Sequence, residues 1–235
     1  MDTKDPDKKG VPHLKSKRWK TSNDPDYDTK VRRILDLYNN PPKDSVVISI
    51  DEKGTMTVKD YEGSSWRVEA PKISDRQKIR GKAELAAAYA PHIAKIFYRF
   101  SPKKRAYHIT GLLRQVRASI PKPIKLYVIL DNHHMHTGGL LKKFVNEDGF
   151  IELFFTPKNA SWWNAIEQIF ADIQKKVLNN SSFEDVVEMK EAVKNRLPEL
   201  RARLKELLEI NKGRFTFAFH LWKEMTTATT VPPCR

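Results

Sequence analysis

Cysteine, long apolar runs and a secretory leader are scarce or missing in this sequence. The single cysteine, Cys234, cannot form an internal disulfide, and a zinc site built from several thiolates is excluded. No stretch approaches the roughly 18 uninterrupted apolar residues that a membrane span needs. Residues 1–10 also lack the apolar core of a secretory signal. These absences predict a cytoplasmic protein that does not cross a membrane.

Acidic residues are few and unevenly spread. Lysine and arginine number 43 against 29 aspartates and glutamates, which gives a formal net charge of +14. Between Leu85 and Leu130 there is no acidic residue and there are nine basic ones, and residues 8–20 hold six more with no acid. Clustered positive charge favours a polyanionic partner, with nucleic acid first and an acidic membrane surface second. General solubility is the plain alternative.

The apolar pattern predicts one α/β domain after an amino-terminal arm. Residues 1–44 are rich in proline, aspartate and lysine, which indicates a basic linker with a short helix near 31–38. Residues 55–70 indicate a polar, partly extended excursion. Strands are predicted at 45–50, 86–90, 93–100, 125–130 and 151–155, and helices at 109–120, 138–145 and 166–177. A capping box at Ser181 and Glu184 predicts a final long helix, interrupted at Pro198. The order of elements predicts a mixed sheet flanked by helices.

Three carboxylates stand where an open α/β sheet tends to carry its active site. Asp51 and Asp131 each follow a β-branched strand, and Glu167 lies in the first turn of a later helix. Phosphoryl transfer on DNA needs charge neutralised on phosphate oxygens and an activated nucleophile. Two Mg²⁺ ions held by carboxylates meet both needs. Capping, or a favourable contact with a helix dipole, is the structural alternative for each acid.

The residues around these acids carry a family resemblance. The segments are VISIDEKG at 47–54, YVILDN at 127–132 with His136, and FTPKNAS at 155–161 leading to NAIE at 164–167. Together they resemble the DDE catalytic domain of insertion-sequence transposases in the mariner-like superfamily. The 35 residues between Asp131 and Glu167 are close to the spacing expected of that group. The resemblance runs from about Asn23 to Phe217, and many relatives have proline where Ala165 stands.

The resemblance implies a fold, a cofactor and a reaction. It implies a ribonuclease-H-like domain over residues 45–217, followed by a carboxy-terminal tail at 218–235. It also implies two Mg²⁺ or Mn²⁺ ions, hydrolytic cleavage at transposon ends, and transfer of the free 3′ hydroxyl into target DNA. Asp51, Asp131 and Glu167 take the catalytic and metal-binding positions. The supporting residues that we assign are Asn132, His136 and Asn164.

The partner predicted by both charge and resemblance is DNA, bound by a homodimer assembled on it. The basic residues assigned to DNA binding are Lys103, Lys104, Arg105, Arg114, Arg117 and Lys158. We expect residues 1–44 to match only the trailing linker of the family's helix-turn-helix region, with a separate polypeptide recognising the element ends. The alternatives are a non-catalytic DNA-binding remnant of a transposase and a host DNA endonuclease of the same fold.

Several remaining residues have two interpretations each. His133, His134 and His136 are interpreted as loop residues near the site; zinc ligation is less favoured because no matching ligands lie nearby in the sequence. Trp162 and Trp163 suit either base stacking or hydrophobic anchoring, and anchoring is favoured. The aromatic cluster at 215–222 is interpreted as core or as an oligomer contact.

Overall fold

The computed structural model describes residues 22–59, 79–103, 106–132, 139–179 and 181–210. The strands are β1 (Ser45–Val58), β2 (Gly81–Ala90), β3 (Lys95–Ser101), β4 (Lys125–Leu130) and β5 (Ile151–Phe155). The helices are α1 (Tyr27–Asn39), α2 (Ala106–Ser119), α3 (Gly139–Asp148), α4 (Ile166–Ile173) and α5 (Val186–Ile210). A π-helical turn, Gln174–Leu178, continues α4. The predicted alternation of strands and helices is confirmed.

The five strands form one mixed sheet in the order β3-β2-β1-β4-β5. β1 pairs with β2, and β2 with β3, in antiparallel fashion. β1 pairs with β4, and β4 with β5, in parallel. The chain therefore begins the sheet at its centre, makes a meander outward to β3, and crosses over through α2 to build the parallel half.

Side-chain alternation along the strands creates a hydrophobic core on each face of the sheet. Val47 of β1 and Ile129 of β4 face one core, which α1, α4 and α5 cover. Ile48 and Val128, their neighbours in the same two strands, face the opposite core, which α2 and α3 cover. The two faces are therefore distinct, and alternate residues of β4, and of β1 before its bulge, contact different sets of helices.

Helix α1 lies within the segment predicted to be a linker, yet it packs into the first of these cores. Its Ile34, Leu37 and Tyr38 are buried among residues of the sheet and of α4. The spacing of these apolar residues places them on one face of the helix. Although α1 lies in the predicted arm, it therefore belongs to the same packed domain as the sheet.

Three predictions about element boundaries are wrong. β1 does not end at residue 50 but continues to Val58, because its second half pairs with β2 across a bulge between Lys53 and Met56. α5 continues through Pro198, since buried side chains on both sides of the proline, such as Val193 and Leu200, hold it against the sheet. That burial offsets the hydrogen bond that proline cannot make.

The third correction concerns the start of α5. The helix begins at Val186, and Ser181 and Glu184 do not form its capping box. Instead the Glu188 amide donates to Asp185 Oδ1 (2.8 Å), and the Glu188 carboxylate accepts from the Glu184 amide (2.7 Å). Asp185 therefore caps the start of the helix, while the Glu188 carboxylate binds the amide of the residue before Asp185.

Several predicted segments lie partly outside the residues that the structure describes. Among them are residues 1–21 of the arm, residues 60–70 of the polar excursion, and residues 211–235, which hold the end of the predicted domain and the carboxy-terminal tail. In the described part of the chain, no helix is long and apolar enough to cross a membrane.

Candidate active site at the ends of two parallel strands

Asp51 and Asp131 lie at the same level of the sheet, on neighbouring strands. The parallel ladder between β1 and β4 ends with Ser49 opposite Ile129. Asp51 follows Ser49 by two residues, and Asp131 follows Ile129 by two residues. Because side chains alternate with a period of two, both aspartates fall on the face that α1 and α4 cover. The predicted adjacency of the two strands is confirmed. Asp51 does not end β1, which continues to Val58; it lies two residues past the last parallel pair.

The two aspartates differ in their surroundings. Asp51 is buried, with 7% of its surface exposed, and its Oδ1 accepts a 2.7 Å hydrogen bond from the Glu52 amide. Asp131 is half-buried, directly after the last residue of β4. One carboxylate is therefore held inside the domain and the other faces a solvent-accessible edge.

Glu167 lies in the first turn of α4, as predicted, and is half-buried. The apolar stripe of this helix, which faces the sheet, is also confirmed; its buried members are Ile166, Ile169, Phe170, Ile173 and Val177. Glu167 follows the stripe by one residue, about 100° around the helix. Glu167 therefore belongs to the helix that covers the face of Asp51 and Asp131, and its charge acts on Lys53 of β1.

Asn164 ties the start of α4 to β1. The side chain is completely buried, and its Nδ2 donates a 2.9 Å hydrogen bond to the carbonyl of Ile50. Asn164 O accepts from the Glu167 amide at 3.1 Å. One residue therefore contacts the backbone beside Asp51 and the first turn that carries Glu167. Its Oδ1 is buried and has no hydrogen-bond partner among the described residues.

Tyr38 of α1 makes a second connection between the same segments. Its hydroxyl lies 2.6 Å from Ser49 Oγ and accepts a 3.1 Å hydrogen bond from the Ala165 amide. Burial raises the pKa of Tyr38 to about 12, so the hydroxyl stays protonated at neutral pH. A proline in place of Ala165, as in many relatives, has no N–H to donate. Sequence reasoning missed Tyr38, and only the helical pattern near 31–38 pointed to its region.

Lys53 is a cation on the carboxylate face that sequence reasoning also missed. It follows Asp51 by two residues in β1, and its Nζ donates to Gln174 Oε1 at 3.0 Å. The pKa of Lys53 is lowered, because partial burial outweighs the opposing effect of the nearby Glu167 charge. Side chains alternate along a strand, so the position of Lys53 two residues after Asp51 was the signal in the sequence that could have identified it. The site therefore contains a lysine beside the glutamate as well as the predicted acids.

A cleft of about 640 Å³ opens beside Asp131. Its other lining residues are polar for the most part and come from Asn23, Asn132 and the loop at 156–161. Asp24, next to Asn23, fixes this loop because its Oδ2 accepts a 2.8 Å hydrogen bond from the Lys158 amide. The structure thus brings the predicted Asn132 and Lys158 together with Asp131.

The predicted DNA-binding cations are divided between two faces. Lys158 is exposed in the cleft loop, and Lys103 is exposed just after the edge strand β3. Arg114 is exposed on α2, on the opposite face, and stacks on Phe144 of α3 (4.4 Å). Lys104, Arg105 and His136, with His133, His134 and the 215–222 cluster, lie outside the described residues.

Arg117 has a structural role that the sequence did not indicate. Its guanidinium donates to the carbonyls of Ile120, Ile124 and Phe150 at 2.9–3.0 Å. It also pairs with the buried Asp148 carboxylate at 3.1 Å, and only 10% of its side chain is exposed. These contacts fasten the end of α2 to the β4 and β5 region. Arg117 is accordingly left out of the DNA-binding surface.

Trp163 anchors the loop before α4. It is buried in a small cluster with Val31 and Ala160, and its Nε1 donates to the Tyr27 hydroxyl at 3.0 Å. Trp162 is half-buried and packs against the same cluster. Hydrophobic anchoring, the favoured interpretation, is confirmed for Trp163.

The donors at this site are suited to a hard divalent cation. Carboxylate and amide oxygens are the ligands that Mg²⁺ and Mn²⁺ prefer, and the buried Oδ1 of Asn164 is such an oxygen. Among the described residues, no three acidic, histidine or cysteine side chains form a ready-made metal cluster. Magnesium commonly uses one or two carboxylates together with substrate phosphate oxygens. The level pair Asp51 and Asp131 fits that requirement.

A mixed sheet with one aspartate just past the parallel pairing of each of two neighbouring strands, and a glutamate on a following helix, is the arrangement of a nuclease-type α/β domain. A sequence model of the family described as DDE superfamily endonuclease matches residues 46–190. The match covers more than half of the chain, and the protein belongs to that family. No curated protein sequence matches this chain.

Solved structures of Mos1 transposase are similar in fold. The Mos1 paired-end complex with the left transposon end aligns with a TM-score of 0.60 at 14% identity, covering 87% of this chain and 64% of that chain. The Mos1 mariner paired-end complex with Mn gives 0.57 at 12% identity, over 86% and 67%. The Mos1 catalytic domain gives 0.51 at 12%, over 87% and 98%. The expected ribonuclease-H-like fold is confirmed, and this chain spans about two thirds of the first transposase chain.

Proposed function

We propose that this protein is the catalytic core of a DNA transposase, which cuts DNA at element ends and joins the released 3′ hydroxyl to target DNA. The observation that carries the proposal is the parallel register that brings Asp51 level with Asp131. Membership of the DDE endonuclease family and the fold shared with Mos1 transposase support it. In the first step water attacks phosphorus and the P–O3′ bond breaks, leaving a 3′ hydroxyl and a 5′ phosphate. In the second, that hydroxyl attacks a phosphorus of the target strand, the target's own P–O3′ bond breaks, and a target 3′ hydroxyl is released.

Asp51, Asp131 and Glu167 are the proposed metal ligands, with two Mg²⁺ or Mn²⁺ ions as cofactor. Bound ions supply the charge that neutralises phosphate oxygens and activates the attacking oxygen. The Mos1 paired-end complex has been solved both with Mn and with Mg, which supports divalent-metal use in this fold. Asn164 holds the glutamate's helix beside β1, and Lys53 lies beside Glu167.

DNA is the proposed partner, and the cleft beside Asp131 is the proposed place for the strand that is cut. The cleft is mainly polar and has Lys158 at its edge, so amide groups and a cation face the incoming backbone. The Mos1 structures described as paired-end complexes support DNA as the partner. Assembly as a homodimer on DNA, with element ends recognised by a separate polypeptide, completes the proposal.

The test is a plasmid assay that separates this function from its two alternatives. Supercoiled plasmid and a labelled oligonucleotide with a free 3′ hydroxyl are incubated with the protein and Mn²⁺ or Mg²⁺. We expect metal-dependent nicking and covalent joining of the label to the plasmid. Nicking without joining supports a host endonuclease instead, and binding without nicking supports a non-catalytic remnant.

A further inference from the structure

We propose that Tyr38 is a positioning residue for Glu167: its hydroxyl fixes the start of α4 against β1, which makes α1 part of the catalytic unit. The consequence for cleavage rests on the function proposed above, whereas the positioning itself does not. The family model begins at residue 46, so neither Tyr38 nor any other part of α1 belongs to the matched segment.

The Tyr38 hydroxyl lies between the two segments that carry the proposed catalytic acids. Ser49, whose Oγ is 2.6 Å away, precedes Asp51 by two residues in β1. Ala165, whose amide donates to the hydroxyl at 3.1 Å, precedes Glu167 by two residues. The hydroxyl also donates to the Trp163 carbonyl at 3.4 Å. A phenol has one proton and two lone pairs, and these three contacts match that capacity.

Water cannot replace this hydroxyl without rearrangement. Tyr38 is 1% exposed, and both Ser49 and Ala165 are completely buried. If the oxygen is removed, the Ala165 amide becomes a buried donor without an acceptor, which is costly in a folded protein. We expect the residues at the start of α4 to move so that the Ala165 amide reaches another acceptor, and Glu167 moves with them.

The Tyr38 hydroxyl and Asn164 act on consecutive residues of β1. Tyr38 contacts Ser49, and the Asn164 amide contacts the carbonyl of Ile50. Two hydrogen-bonded connections, one from a side chain outside α4 and one from a residue just before it, restrict both the position and the rotation of the helix. If the Glu167 carboxylate acts together with Asp51, its position must be held to within a fraction of an ångström, and these two connections provide such support.

The experiment compares Tyr38→Phe with Tyr98→Phe. Both variants lose one phenol oxygen, and both tyrosines contact the same hydrophobic core, but Tyr98 is on the edge strand β3. The readouts are amide hydrogen exchange at residues 165–167, the kcat and KM of DNA nicking, and the apparent affinity for Mn²⁺. For Tyr38→Phe we expect exchange to quicken and kcat to fall, each by about tenfold, with KM unchanged and Mn²⁺ affinity weakened. For Tyr98→Phe we expect wild-type values.

Wild-type exchange and kcat in Tyr38→Phe would overturn the proposal, and so would an equal loss in Tyr98→Phe. Ser49→Ala removes one partner and keeps the other, and it serves as the deciding variant if Tyr38→Phe does not fold. A smaller fall in kcat with faster exchange at 165–167 is expected for it, and wild-type behaviour counts against the proposal. If the unaltered protein cuts no DNA, the proposed function fails, while the exchange data still decide the role of Tyr38.

Discussion

The carboxamide of Asn164 donates a 2.9 Å hydrogen bond to the carbonyl of Ile50, the residue directly before Asp51. This bond joins the segment directly before α4 to the strand at the centre of the sheet. It spans 114 residues of sequence, so it depends on the tertiary fold that brings the two segments together.

Replacing Asn164 by alanine leaves the buried Ile50 carbonyl without that donor. We expect the free energy of unfolding to fall by about 2 kcal/mol, measured by urea denaturation. We also expect slower DNA nicking at a temperature where the variant is fully folded. Asn40→Ala, at the exposed end of α1, is the control and should stay within about 0.5 kcal/mol of the unaltered protein. Equal stability of Asn164→Ala and wild type would contradict the structural role.

Arg117 and Arg114 should contribute very differently to the stability of the fold. Arg117→Ala leaves the buried Asp148 with a weaker partner and removes the guanidinium that donates to three backbone carbonyls. We expect it to lower the free energy of unfolding by about 3 kcal/mol. Arg114→Ala removes only an exposed stacking contact on Phe144, so we expect a loss below about 1 kcal/mol. Thermal or urea unfolding of the two variants decides this, and an equal cost for both would refute the distinction.

Asp24 should make the cleft loop sensitive to acid. Its hydrogen bond with the Lys30 ammonium, followed by that with the Lys158 amide, lowers the pKa of Asp24 to about 2. A carboxylate with a lowered folded pKa stabilises the protein above its unfolded value of about 3.9, and this stabilisation is lost as the pH falls toward 2. The melting temperature of Asp24→Asn should therefore drop less than that of wild type between pH 5 and pH 2. If the melting temperatures of Asp24→Asn and wild type fall equally between pH 5 and pH 2, Asp24 does not make this contribution.

Lys158 should contribute to DNA affinity through a phosphate contact. Each neutralised phosphate changes the slope of log affinity against log salt by about 0.9 on duplex DNA. We expect Lys158→Ala to bind more weakly at low salt and to show a shallower slope by about that amount. Lys143→Ala, an exposed lysine of α3 on the opposite face of the sheet, is the matched control. If both variants lose affinity equally, the binding surface does not lie at the cleft.

Much of the fold follows from local patterns in the sequence. The β-branched runs that end at Ile50 and Leu130 predicted two central strands, and the apolar spacing from Ile166 to Val177 predicted α4 and the face it buries. The alanine-rich strand β2 was predicted against intrinsic propensity. It forms because it pairs with a strand on each side and its small side chains are buried in the cores on both faces of the sheet, and tertiary packing outweighs propensity there.

The parts that escaped prediction depend on contacts distant in sequence. The continuation of β1 past Asp51 is decided by pairing with β2, and α5 passes through Pro198 because of burial against the sheet. Tyr38 could not be found from its neighbours, since its partners Ser49 and Ala165 lie 11 and 127 residues away. Sequence patterns therefore predicted the three acids and Asn164, whereas Tyr38 and Lys53 were found only in the three-dimensional structure.

The central claim is that Asp51 and Asp131 act together on DNA through a divalent metal ion. The most direct measurement is the initial rate of plasmid nicking in Mn²⁺ by Asp131→Asn, compared with wild type and with Asp36→Asn, an exposed acid on α1. The amide keeps the shape of the side chain and removes its charge. We predict that Asp131→Asn remains folded and loses activity by about a thousandfold, roughly 4 kcal/mol of transition-state stabilisation, while Asp36→Asn keeps the wild-type rate. Nicking by Asp131→Asn at the wild-type rate, or nicking that persists in excess chelator, would contradict the account.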